Sequence, residues 1–125
     1  MGRFHITPIA AEHMRQIADD SRQRWGKLRA IAYVSDLRSG FQHVADRHDT
    51  LPKRTRLTGS LKLGLHRVGR HYIVYTVLTT NDVAITAVLH ERMDVSTRLQ
   101  ELHAHTAQQV GDIRARLLRS QFKPD

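Results

Sequence analysis

Apolar positions change their spacing twice along this chain. They recur first as Ala10, Met14, Ile17 and Ser21, and then as Ala30, Tyr33, Val34, Leu37, Phe41 and Val44. Each set falls on one side of an α-helix with about 3.6 residues per turn. Thr7-Pro8 supplies an N-cap and a first helical residue that has no amide N–H to satisfy. Trp25-Gly26 divides the run into two helices, and so short a break predicts an antiparallel hairpin. Arg3–Ile6, ahead of the first helix, reads as a short strand.

From about Asp49 the period shortens. Thr50–Ser60, with Pro52 and Gly59, reads as a basic loop. Leu61, Leu63 and Leu65 alternate with Lys62, Gly64 and His66, the pattern of a strand with one buried face. After a turn at Gly69-Arg70, Tyr72–Leu78 is β-branched and aromatic, as in a central strand covered on both faces. Thr79–Asp82 makes a second turn, and Val83, Ile85, Ala87 and Leu89 alternate again. The expected fold is α+β in two layers: an N-terminal strand and a helical hairpin packed on an antiparallel β-meander, in the order β-α-α-β-β-β.

Beyond residue 95 the helical period returns. Asp94 or Ser96 caps a further helix, with a stripe of Leu99, Leu102, Thr106, Val110, Ile113 and Leu117. Gly111 weakens it by about 1 kcal/mol relative to Ala. This C-terminal helix folds back over its own domain, forms a homodimer seam, or adds a contact to a partner. Residues 1–95 are thus one domain and residues 96–125 its helical extension.

The composition fits this reading and narrows the chemistry. The 125 residues, 40% hydrophobic and 26% charged, suit one globular domain. Cysteine is absent, which excludes disulfide scaffolds, thiolate zinc sites and cysteine nucleophiles. No apolar run reaches the ~20 residues of a membrane span, and Met1–His5 lacks a signal-peptide core, so a cytoplasmic protein is expected. The formal charge is +8, and its placement is uneven. Residues 50–81 hold Lys53, Arg54, Arg56, Lys62, Arg67 and Arg70 and no acidic residue. A surface of one sign draws polyanions or an acidic protein partner.

Metal signatures fail. His90-Glu91-Arg92-Met93-Asp94 opens like a zincin helix, but its fifth residue is Asp and it closes a strand. His103 and His105 lie about 200° apart on a helix and cannot share an ion there. Neither a metal nor a cofactor is expected.

Three segments carry a resemblance. Ser21-Arg22-Gln23-Arg24-Trp25-Gly26, then Gly69-Arg70-His71-Tyr72-Ile73-Val74-Tyr75, then Val88-Leu89-His90-Glu91-Arg92-Met93-Asp94 are similar, in that order and spacing, to the ParE branch of the ParE/RelE toxins. These are the toxin halves of bacterial type II toxin–antitoxin modules. The resemblance spans roughly residues 3–95 and implies a growth inhibitor neutralised by a cognate antitoxin. It implies DNA gyrase as the target, trapped on cleaved DNA without chemistry by the toxin. The RelE branch implies the alternative, a ribosome-dependent messenger-RNA endonuclease.

For target contact the first candidates are Arg67, Arg70 and Arg92, followed by Lys53, Arg54 and Arg56. If the chain is an RNase, Arg67 and Arg70 hold phosphate while His71 or His90 shuttles a proton. In the ParE branch the histidine at position 90 belongs to the motif without a catalytic role, so no catalytic residue is expected. The hairpin stripe of Met14, Ile17, Tyr33, Leu37 and Phe41 is the candidate groove for the antitoxin. A third class, a non-specific DNA-binding or scaffold protein, lacks a helix-turn-helix recognition helix.

Overall fold

The computed structural model describes residues 2–51, 55–58 and 61–121. The elements are β1 (Phe4–Ile6), α1 (Pro8–Trp25), α2 (Lys27–Arg47), β2 (Thr55–Thr58), β3 (Leu61–Val68), β4 (His71–Val77), β5 (Val83–His90) and α3 (Val95–Gln121). The α+β class, the N-terminal strand, the hairpin, the antiparallel meander and the C-terminal helix are all present as expected.

Local chemistry sets the helix ends. Thr7 is extended, and its Oγ1 accepts the N–H of Ala10 while donating to the Ile85 carbonyl at 3.0 Å, so one buried hydroxyl caps α1 and ties it to β5. Gly26, at φ 87°, closes α1 and opens α2 in a conformation that side chains disfavour. Asp94 caps α3, accepting from both the amide and the hydroxyl of Thr97.

The sheet has five strands in the order β1-β5-β4-β3-β2, with β1 parallel to β5 and all other pairs antiparallel. It departs from the two-layer expectation because both of its faces are apolar and both are covered. Ile73, Tyr75, Val83, Ile85 and Val88 pack under the hairpin. Val74, Leu78, Ala84, Ala87 and Leu89 pack against Leu99, Val110 and Ile113 of α3. The fold therefore has three layers, and the apolar stripe of α3 is occupied by its own sheet rather than by a homodimer seam. Gln109 of α3 also accepts the N–H of Ile9, joining the extension to the start of α1.

Two further expectations are corrected. Thr55–Thr58, inside the segment read as a basic loop, forms β2 and pairs with Leu61–Gly64. An edge strand tolerates a basic residue because one side of its ladder faces water, and four residues are too few to show a period. Along β5 the alternation Val83, Ile85, Ala87, Leu89 does not stay on one face. Val74 pairs with Ala87 and Tyr75 with Ile85, leaving Thr86 as an extra residue in a bulge. The inserted residue reverses the phase, sending Val83 and Ile85 to the hairpin and Ala87 and Leu89 to α3.

Candidate functional site

Where α1 gives way to α2, the hairpin overhangs the end of the sheet at the β3–β4 turn and the end of β5. Between them lies an open cleft of about 890 Å³. Its helical wall carries Asp20, Arg24, Trp25, Arg29, Tyr33 and Asp36. Its sheet wall carries Arg70, His71, His90, Arg92 and Met93. These two walls bring together residues 34 to 73 positions apart in the chain, at the end of the sheet.

Tyr33 joins the walls. Its hydroxyl accepts the N–H of Arg70 at 3.2 Å and lies 2.5 Å from Nδ1 of His71. Burial raises the Tyr33 phenol above its ordinary range, so it stays protonated and donates to His71. His71 and His90, opposite one another in the β4–β5 register, meet edge to face with ring centroids 5.1 Å apart. Burial, then the neighbouring His90, pushes His71 down to about 4, leaving it uncharged at neutral pH. Nδ1 of His90 accepts the N–H of Arg92 at 3.1 Å, which puts the ring proton on Nε2. Trp25, 42% exposed, is met by Tyr33 edge-on at 6.3 Å and by the Arg29 guanidinium at 5.6 Å.

The cleft is therefore rich in donors and positive charge. Four arginines face two aspartates, and both imidazoles have Nδ1 engaged. Such a lining holds oxyanions. Burial makes His71 a weak base at neutral pH.

The expected site residues separate into groups. Arg70 and Arg92 line the cleft together, but Arg67 does not. Arg67 pairs with Glu91 and donates to the Gly69 carbonyl, so it braces the β3–β4 turn. Of the nuclease set, Arg70, His71 and His90 converge and Arg67 stays outside. Lys53 and Arg54 lie outside the described residues, and Arg56 is on β2 with its side chain outside them. The groove proposed for the antitoxin is corrected. Met14, Ile17, Leu37 and Phe41 are at most 9% exposed because the sheet covers their stripe, whereas Leu28 and Ile31 of α2 lie outside it and are exposed. Ile17 reaches only the inner wall of the cleft, and Tyr33 alone of the five opens onto it with a polar group.

Arg24, Trp25, Arg29 and Met93 had no place in the sequence reading of the site. Trp25 stands in the sequence as a helix breaker and part of the Ser21–Gly26 segment, although an aromatic next to Arg24 at a chain reversal is also a usable signal of a contact surface. His13 was also missed: its Nδ1 accepts the Val88 N–H at 3.1 Å, beside the bulge in β5. Among the described residues no group of three or more His, Asp or Glu side chains is placed to hold a metal ion. No helix among them is long and apolar enough to cross a membrane.

Residues 4–95 match the family model described as the ParE toxin of the type II toxin–antitoxin system parDE. The chain is 31% identical over 99 residues to Toxin ParE1 of Mycobacterium tuberculosis H37Rv, covering 78% of this chain and 97% of that protein. It is 27% identical over 101 residues to Toxin ParE of Escherichia coli, covering 81% and 96%. A solved chain from the chromosomal ParDE system of P. aeruginosa shares the fold at a TM-score of 0.60 with 14% identity, over 72% of this chain and 96% of that one.

Proposed function

The chain belongs to the ParE family of toxins from type II toxin–antitoxin systems, and on that premise we propose that it arrests growth by binding and poisoning DNA gyrase in the cytoplasm, until a cognate antitoxin neutralises it. Residues 1–95 carry this activity, and residues 96–125 extend the same domain. Arg70 and Arg92 make the leading contacts to the target, ahead of Arg67 and the basic segment with Lys53, Arg54 and Arg56. The observation that supports binding over chemistry is the state of the imidazoles. His71 is a weak base, lowered to about 4, and Nδ1 of both His71 and His90 is already taken, by the Tyr33 hydroxyl and the Arg92 amide, which disfavours removal of a proton from a ribose hydroxyl.

The test is a supercoiling assay with purified gyrase. Inhibition with accumulation of cleaved DNA supports the reading, and full gyrase activity at saturating toxin removes it. One observation favours a second reading, a RelE-like ribosome-dependent messenger-RNA endonuclease: Arg70, His71 and His90 share one cleft. Primer extension on translated messages separates the two, because cleavage in the ribosomal A site belongs only to the endonuclease.

A further inference from the structure

We infer that the cleft between the hairpin end and the β4–β5 end is the docking site for a short acidic segment of the cognate antitoxin, which seats one large apolar side chain between Trp25 and Met93 while its carboxylates meet Arg24, Arg29, Arg70 and Arg92. This rests on the toxin reading above. Three observations carry it.

The first is charge. Four arginines against two aspartates leave the lining positive, and among the described residues none of the four is ion-paired. A second copy of this chain, itself at +8, is repelled, whereas an acidic segment is attracted.

The second is exposed apolar surface at the same place. Trp25 and Met93 are 42% and 41% exposed, and the buried Ile17 continues the apolar wall inward. Leu28 and Ile31 of α2 are also exposed but do not line the cleft; within it, Trp25 and Met93 set apolar surface beside the four arginines. An aromatic or Arg-lined pocket of this kind is the usual anchor of an interface.

The third separates a peptide from a nucleic acid. Asp20 and Asp36 interrupt the helical wall, and a phosphate at every nucleotide would have to pass them. A peptide with carboxylates spaced around one apolar anchor avoids this conflict. Because Arg70 and Arg92 are also the proposed target contacts, the segment silences the toxin by covering them and needs no change in its fold.

Trp25 is the single tryptophan of the chain, so its emission reports on the cleft directly. The experiment titrates the full chain with an acidic nonapeptide bearing a central Phe, with its Lys-for-Glu counterpart, and with a twelve-nucleotide oligothymidylate. It then repeats the titration with the co-expressed, purified antitoxin. The expected result is a saturable blue shift and protection from acrylamide quenching by the acidic peptide and by the antitoxin, with the lysine peptide inert. Arg24→Glu combined with Arg29→Glu, both exposed, should weaken antitoxin binding about tenfold or more at an unchanged thermal midpoint. A neutralising complex that leaves Trp25 quenchable and tolerates both reversals overturns the docking site while the toxin reading stands. A shift produced by the oligonucleotide and not the peptide also overturns it, in favour of nucleic acid. A chain that neither inhibits growth nor meets a neutralising partner overturns both readings.

Discussion

The hydroxyl of Tyr33 on α2 stands 2.5 Å from Nδ1 of His71 at the first position of β4. The same oxygen accepts the amide of Arg70, and the ring closes over Gly69, where an added Cβ would come within 2.8 Å of it. Gly69 has φ 57°, so the turn that presents Arg70 needs glycine both for its backbone and for the room it leaves Tyr33. One phenol thereby sets the distance between the two walls of the cleft.

Tyr33→Phe keeps the ring against Trp25 and removes both hydrogen bonds. The expected loss is about 1–2 kcal/mol in urea unfolding, the usual penalty for leaving a half-buried partner unpaired. An unchanged midpoint would show that other contacts hold the β3–β4 turn.

Acid should destabilise the fold in a defined window. His71 takes up a proton near 6.5 when unfolded but only at about 4 when folded. Between those values the unfolded state binds more protons, so stability is full above the upper value and falls as the pH drops toward the lower one. Tyr33, His90 and Glu91 surround this imidazole; burial is the leading cause of its shift, and Glu91 opposes it. Burial also lowers His13 and His66, which adds to the slope in the same direction. Thermal midpoints measured across this range should decline, and His71→Gln should flatten the curve. A variant profile as steep as the native one would assign the effect to the other histidines.

The extension is expected to be structural. Val110 is 1% exposed, in a cluster with Leu63, Val74 and Leu89. Val110→Asp puts an unpaired carboxylate there and should cost about 3 kcal/mol or more. Chemical denaturation measures this, and a loss under about 1 kcal/mol would mean that α3 packs loosely on the sheet.

Arg70→Glu together with Arg92→Glu should reduce growth inhibition by about tenfold or more, with a thermal midpoint within a few degrees of native, because both side chains are exposed. His90→Gln divides the two mechanisms. A binding toxin keeps most of its potency with glutamine there, whereas a nuclease that depends on the imidazole loses it. The colony count under induced expression reads both variants.

Much of the fold was legible because its signals are local. Ala10, Met14, Ile17 and Ser21 are the buried positions of α1, matching the stripe read from spacing alone. Thr7 caps as its type and position imply, and the stripe through Leu99, Val110 and Ile113 marks the buried face of α3. The site was half legible. Arg70, Arg92, His71 and His90 stand out as polar residues at strand ends, but their company with Arg24, Trp25 and Arg29 depends on how far the hairpin overhangs the sheet.

Periodicity, capping chemistry and charge placement therefore determined the elements, their order and the basic character of the surface, since each acts over a few residues along one segment. Tertiary structure alone decided which face of each element is open. A stripe such as Met14, Ile17, Leu37 and Phe41 looks the same whether a sheet or a partner covers it, and only the packed sheet shows that it is already taken. The bulge at Thr86 is equally silent in sequence, because a change of phase exists only relative to the neighbouring strand. Arg67 and Arg70, three residues apart on one basic stretch, differ for the same reason: the fold brings Glu91 to the first and a cleft to the second.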